Sequence, residues 1–393
     1  MPWNESTVMD QRKAFVEAYR SGVYGMTELC RSAGVSRPTG YLWLERYRQF
    51  GEAGLVDRSH APRQPQRTAV ALLEPYLELR RSHPRWGARK LLQWMGRRRP
   101  GVAALSHSTL EAAFKARGLV AERRPQRLLP RTGSPVSVAT EPNDVWSIDF
   151  KGQFRTGDHR YCYPLTLTDG ASRYVLATHG GYSTDGRWVE RRLHAVFAEH
   201  GLPAVIHSDN GSPFASSGLG GLSWLSIGWL KLGIELELSR PGHPEDNPRH
   251  ERMHRELKAE TARPPAANLR AQQRRFDRFR CEYNQERPHE SLNGQVPADL
   301  YRPSSRPLPA RIPEFTYPGH FEIRRVRQQG VLKWHRHRLY LGQAFGRETV
   351  GLEEIDDGVW NLFFGTYLLG RLDEPLGRII EVPRCKASSR ADL

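Results

Sequence analysis

Cysteine is scarce in this chain: Cys30, Cys162, Cys281 and Cys385 are the four among 393 residues, and they are far apart with no paired spacing. That excludes the disulfide framework of a small secreted domain and the paired cysteines of a zinc knot. Long apolar runs are missing as well. A membrane-spanning helix needs about 18 apolar residues in succession, and the nearest approach, "GLGGLSWLSIGWLKLGIELEL", is broken by Ser223, Lys231 and Glu235. The opening "MPWNESTVMD" does not have the basic-then-apolar layout of a secretory leader. The expected compartment is therefore the cytoplasm, with no membrane anchor. Acid is in deficit too, with 43 Asp and Glu against 59 Lys and Arg, a formal charge of +16. Such a balance favours a polyanionic partner, because clustered cations gain affinity by displacing counterions from phosphates. Nucleic acid leads and an anionic membrane surface follows. Hydrophobic residues at 38% and aromatics at 10% are enough for ordered cores rather than a disordered tail.

The chain reads as four regions and a linker. Residues 1–62 hold three short helical patterns, "DQRKAFVEAYRSG", "MTELCRSAG" and "SRPTGYLWLERYRQFG", with Ser36 placed to cap the third, which reads as a helix-turn-helix. A second such unit, resembling a winged helix, is expected over 63–124. A basic, proline-rich stretch over 125–142 reads as an extended linker. From 143 to 302 the pattern becomes three strand-like runs followed by alternating helix and strand, which predicts an α/β layer fold with a mixed five-stranded sheet. Short strands separated by Gly, Asp and Arg then predict a small all-β barrel over 303–393.

The chemistry lies in the third region. In "VWSIDF", strand alternation puts Trp146, Ile148 and Phe150 on one face and Asp149 on the other. A carboxylate among aromatics needs a partner: an arginine, a set of hydrogen bonds or a metal ion. Asp209 follows a short strand in "VIHSDNGSPF", so both acids can project from one edge of the sheet. Asn247-Pro248 makes a helix start. Glu251 then falls about one turn into that helix, with His254, Arg255 and Lys258 on or beside its face. Three converging acids can hold two Mg²⁺ ions for phosphoryl transfer, and Mg²⁺ needs only a few carboxylates, water and substrate phosphate. The plainer reading, that each acid caps a turn or pairs with an arginine, stays open on the residues alone.

"WSIDFKG", "HSDNGSPF", "DNPRHERMHRELKAE" and "YNQERPHESLNGQVPADLY" occur in that order, and together they resemble the core of DDE transposases of bacterial insertion sequences, whose catalytic domain is similar to that of retroviral integrases and RNase H. The resemblance maps the acidic triad onto Asp149, Asp209 and Glu251 as catalytic and metal-binding residues. The chain departs from the family in two ways: the interval from Asp209 to Glu251 is longer than usual, and Pro248 stands where such proteins have glycine. Glu245, Asp246 and Glu256 are rival third ligands. The resemblance implies cleavage of double-stranded DNA at the ends of a mobile element, exposure of 3′-hydroxyls and their transfer to target DNA. It also implies Mg²⁺ or Mn²⁺ as cofactor, a homo-oligomer as the active form, and a place at the bacterial nucleoid.

The amino-terminal helix-turn-helix nominates Arg37, Thr39 and Gly40 for base contacts, with Arg46 and Arg48 toward phosphates. Arg255 and Lys258 are candidate phosphate contacts near the acids, against an equal case for plain helix-surface charge. Tyr283, Asn284, Arg287 and His289 read as braces of the core, and Trp86 and Trp94 as packing. Two other functions compete: a DNA-binding regulator whose core is a non-catalytic scaffold, and an RNase H-type nuclease without strand transfer.

Overall fold

The computed structural model describes residues 7–57, 69–120, 138–216, 218–239 and 248–381. Most of the 125–142 linker, the rival acids Glu245 and Asp246, and Cys385 lie outside the described residues. The chain divides into two compact units, Met1–Ala69 and Val70–Leu393.

The first unit is three helices, α1 (Val8–Arg20), α2 (Met26–Ser32) and α3 (Arg37–Phe50). Thr7 and Asp10 close a reciprocal capping box at the start of α1, with Thr7 Oγ1 accepting from Asp10 N at 3.1 Å and Asp10 Oδ2 accepting from Thr7 N at 2.9 Å. Ser36 caps α3 as its sequence position suggests. Val16, Met26, Cys30, Leu44 and Leu55 form the core. Gly40 sits where α3 crosses α2, and a Cβ there would come within 2.7 Å of Cys30 Sγ. The position is occupied by glycine because the two helices approach so closely.

In the second unit, α4 (Val70–Ser82), α5 (Ala88–Arg98) and α6 (His107–Ala116) pack around Tyr76, Leu77, Trp86, Leu91, Met95, Leu110 and Phe114. Trp86 is 1% exposed and Trp94 packs against the same cluster, so both are core residues. The α/β core follows. Its sheet has the order β4 (Val175–Gly181), β3 (Tyr161–Asp169), β1 (Val145–Phe150), β5 (Val205–Ser208), β6 (Glu235–Leu238), and the two-residue β2 (Phe154–Arg155) pairs with the start of β3 as a sixth strand. β1, β3 and β4 are antiparallel while β5 and β6 run parallel to β1, so the sheet is mixed, as expected.

Helices cover both faces. α7 (Gly186–His200) and α8 (Trp224–Lys231) bury Val189, Leu193, Phe197 and Trp229 against Trp146, Ile148, Leu165 and Leu167. On the opposite face α9 (Pro248–Thr261) and α10 (Leu269–Gln285) set Met253, Leu257, Phe276, Phe279 and Tyr283 against Cys162 and Val175. The short α11 (Pro297–Leu300) ends the core.

α5 is tied to this core by Arg97–Asp299 at 2.5 Å and Arg89–Glu290 at 2.7 Å. Asn284 clips α10 to the sheet: its Oδ1 accepts from Val175 N at 2.8 Å and its Nδ2 donates to Val175 O at 2.9 Å. Arg287, 3% exposed, pairs with both Glu256 and Glu260 of α9.

The carboxy-terminal strands are β7 (Glu322–Arg325), β8 (Val331–Trp334), β9 (His337–Tyr340), β10 (Thr349–Asp356), β11 (Val359–Phe364), β12 (Tyr367–Asp373) and β13 (Arg378–Ile380). In the described residues they form two antiparallel sheets, β13-β12-β11-β10-β7 and the β8-β9 hairpin, so the expected all-β character holds. Their shared core of Leu332, Trp334, Phe345, Val350, Leu352, Leu362 and Phe364 continues into Leu222 and Ile227 of the α/β core. Lys231 adds bonds to Glu314 at 3.0 Å and Glu348 at 2.9 Å. Leu222, just before α8, and Ile227 within it therefore supply apolar residues that seat the carboxy-terminal sheets.

Candidate active site

β1 positions Asp149 through simple alternation. Trp146 and Ile148 are fully buried on the α7 face, and Phe150 stacks on Phe214 with ring centroids 5.7 Å apart. Asp149 therefore faces the α9 side. β1 pairs in parallel with β5 at Ser147 and His207, and two residues further along each chain come Asp149 and Asp209. Both acids thus stand at the carboxyl ends of adjacent parallel strands, where open α/β sheets place their ligand sites. Asp209 is exposed, and its Oδ1 accepts from Gly211 N at 3.1 Å. A Cβ on residue 211 would lie 3.1 Å from Asp209 Oδ2, so glycine there leaves room for the carboxylate.

Burial pushes the Asp149 carboxyl up to about 7, and the negative charge of Asp209 adds to the shift. An acid whose proton affinity is raised by burial and by a neighbouring carboxylate marks a place short of positive charge, which a bound cation satisfies.

α9 brings two histidines against the same place. His250 and His254 are four residues apart and both 2% exposed, with ring centroids 4.4 Å apart. Thr166 of β3 meets both: its Oγ1 lies 2.7 Å from His250 Nε2 and 2.5 Å from His254 Nε2, and it donates to Asp149 O at 3.1 Å. Thr168 Oγ1 lies 2.8 Å from His250 Nδ1, and His254 Nδ1 lies 3.5 Å from Asp149 Oδ2. Burial holds the His250 imidazole down at about 3 and His254 well below its ordinary value, so both rings are neutral at physiological pH. Among the described residues, ligand atoms of Asp149, His250 and His254 all lie within 4.8 Å of one another.

Glu251 is on the exposed side of α9, and the three acids Asp149, Asp209 and Glu251 do not form a cluster of that tightness. Glu256 is bound to Arg287, which removes it from competition for the third position. Arg255 is exposed and Lys258 half-buried on the same helix. His207 and Asn210, which flank Asp209, are used structurally: Ser239 Oγ lies 3.0 Å from His207 Nε2, and Asn210 Nδ2 donates to Ser239 O. His250 carried no weight in the sequence reading. Its signal was the spacing His250, Met253, His254, Leu257, an i, i+3, i+4, i+7 stripe that marks one buried helix face.

The nominated DNA contacts divide. Arg37 is exposed at the start of α3, and Thr39 beside it is half-buried, with its Oγ1 2.8 Å from Ser36 Oγ. Gly40 is buried in the α2–α3 contact, so the expectation that it touches bases is corrected: its role is close packing. Arg46, half-buried, donates to Val56 O at 2.5 Å and lies over the Trp43 ring at 4.3 Å.

Models of the integrase core domain match residues 139–244 and 232–297. The stretch from 139 to 297 is thus similar to an integrase core. Ahead of that core, a helix-turn-helix domain matches residues 11–63 and a homeodomain-like domain 39–114; behind it, the IS481 family transposase C-terminal domain matches 321–378. The integrase-core chain is similar to an uncharacterized protein of insertion element IS407 from Burkholderia multivorans, 25% identical over 246 residues, 61% of this chain and 84% of that protein. It is 27% identical over 184 residues to the transposase of insertion sequence element IS904 from Lactococcus lactis, 45% of this chain and 68% of that one. A Pol polyprotein of radiation murine leukemia virus is 30% identical over 117 residues, 30% of this chain and 19% of its own length. Among solved structures, the simian T-cell lymphotropic virus intasome chain aligns over 79% of this chain and 100% of its own, at 16% identity and a TM-score of 0.37. The HTLV-2 integrase catalytic core aligns over 41% of this chain and 98% of its own, at 14% identity and a TM-score of 0.32. The family models and the two insertion-element relatives bear out the resemblance to insertion-sequence transposases. Among the described residues, no helix is long and apolar enough to cross a membrane.

Proposed function

We propose that this integrase-core chain is a DNA transposase that binds the terminal inverted repeats of its element, cuts them to expose 3′-hydroxyl ends and joins those ends to target DNA. The carrying observation is the pair of acids at the ends of β1 and β5, one of them held near pH 7 by burial and by the other's charge. Asp149, Asp209 and Glu251 are the acids assigned to catalysis. Mg²⁺, two ions in the complete site and replaceable by Mn²⁺, would activate a water or a 3′-hydroxyl and stabilise the leaving oxygen. Asp149 gives the site its rigid edge, because its backbone lies in the ladder to Thr166. Asp209 would supply charge from the turn that Gly211 keeps open, and Glu251, exposed in the first turn of α9, is the assigned third acid. Arg255 and Lys258 of the same helix are the residues assigned to DNA phosphates, and Arg37 and Thr39 those assigned to the inverted repeat. Both reaction steps displace an oxygen at phosphorus, so one set of acids serves both, within a homo-oligomer that holds two ends together.

Incubation of the protein and Mg²⁺ with DNA carrying the element's ends, with mapping of the cut phosphates, tests the reading. Asp149→Ala, Asp209→Ala and Glu251→Ala are each expected to abolish cutting and leave end binding intact. Cutting should also fall as the pH drops through 7, because protonated Asp149 no longer attracts a cation. No cutting by the wild type, with end binding intact in it and in all three variants, would overturn the proposal and favour a regulator with a non-catalytic core.

A further inference from the structure

The hydrogen-bond pattern around Thr166 fixes the tautomers of both buried histidines. A threonine hydroxyl has one proton and two lone pairs. Thr166 gives its proton to the carbonyl of Asp149 at 3.1 Å, so it accepts from His250 Nε2 and from His254 Nε2. Each ring therefore donates from Nε2 to Thr166 and turns Nδ1 to its other side. For His250 that atom is used, because Thr168 Oγ1 lies 2.8 Å from it and has a proton to give. The first histidine is an anchor that pins α9 to β3.

His254 is different. Its Nδ1 lone pair faces Asp149 Oδ2, itself an acceptor, across 3.5 Å. With Nε2 on Thr166, Nδ1 is the ring atom turned to the half-exposed carboxylate, and the ligand atoms of Asp149, His250 and His254 all lie within 4.8 Å of one another. Atoms that each lie about 2.1 Å from one ion can be at most about 4.2 Å apart, so the observed spacing suits two ligands of a single ion. Thr166 keeps the ring tautomer and plane fixed from the other side, as outer-shell partners of ligating histidines do. The pair also adjoins Asp209, which supplies the second charge.

We infer that His254 is a metal ligand, giving its Nδ1 lone pair to the divalent cation held by Asp149, and that this imidazole strengthens the binding of a transition ion such as Mn²⁺ more than that of Mg²⁺. The inference rests on the proposed role of Asp149 as a cation-binding acid. Oxygen-only sites suit Mg²⁺, whereas an imidazole nitrogen shifts preference toward the later divalent ions.

Electron spin-echo spectroscopy of Mn²⁺ bound to the full chain reads this directly, without catalysis. The wild type is expected to show nitrogen-14 modulation that disappears when the protein is labelled with nitrogen-15 histidine. His254→Gln, which can keep the bond to Thr166, is expected to lose that modulation and to bind Mn²⁺ about 10- to 100-fold more weakly, while its Mg²⁺ affinity changes less. Because the spectrum is read on the wild type, it does not depend on the variant folding. Mn²⁺ binding that Asp149→Asn abolishes but that shows no histidine nitrogen would overturn the inference and leave the metal-site reading standing. Mn²⁺ binding unchanged by Asp149→Asn would overturn both.

Discussion

The two three-helix bundles of this chain have similar patterns, a capped helix, a tight turn and a basic helix, yet they use their cations differently. In the first, Arg37 at the start of α3 is exposed, and Arg48 near its end has Glu45 3.9 Å away as its only recorded partner among the described residues. In the second, the basic residues of α5 are committed within the chain. Arg89 holds Glu290, Arg97 holds Asp299, and Arg98 donates to Gln285 O at 3.3 Å. Lys90 lies among Arg287, Glu256 and Glu260, where burial and the Arg287 charge push its ammonium down to about 8. α6, which follows the turn, has Lys115 as its only Lys or Arg. A helix-turn-helix pattern thus marks a structural unit. Whether its cations are available to DNA depends on which acids the rest of the fold sets against them.

Three measurements break or sharpen that comparison. The largest effect is expected at the cluster beneath Lys90. Arg287→Ala leaves Glu256 and Glu260 without their partner, and removal of one member of a buried ion cluster costs about 3–5 kcal/mol. Denaturant unfolding should show this loss in the Val70–Leu393 unit, with the transition of the Met1–Ala69 unit unmoved. A drop in both transitions would contradict the division into two units.

Gly40→Ala is the counterpart in the first unit. The added methyl meets Cys30 Sγ at 2.7 Å, and overpacking of this kind costs about 1–3 kcal/mol. The loss should fall on the first transition alone, and an unchanged first transition would mean that α2 and α3 are less closely packed than described.

The smallest effect discriminates best. Arg37→Ala should lower the slope of log affinity for end DNA against log salt by about one, as loss of a phosphate contact does. Arg97→Ala should leave that slope alone and change stability by less than about 1 kcal/mol, since its pair is half-exposed. If Arg97→Ala lowers the slope as much as Arg37→Ala, α5 is a DNA-reading helix after all.

Several features were legible in the linear chain because they depend on short-range periodicity. Alternation in "VWSIDF" assigns Trp146 and Ile148 to the core and Asp149 to the other face, and the structure has the same division. Ser36 and Pro38 fix the start of α3. The braces at Asn284 and Arg287 were also anticipated, and they bind Val175 and Glu256. The ordered motifs carried the integrase core itself.

Tertiary structure decided what depends on partners distant in the chain. Nothing in "SRPTGYLW" shows that Gly40 lies against Cys30, and nothing in α5 shows that its cations face Glu290 and Asp299. The carboxy-terminal strands were readable as strands, but their shared core with Leu222 and Ile227 was not. The tautomer of His254 depends on one hydroxyl of β3, 88 positions earlier in the chain. Local sequence sets backbone preference and the face on which a side chain emerges, because those follow from 2.0 and 3.6 residue periods. Which charge, lone pair or methyl then meets it is settled only when the sheet and helices close on one another.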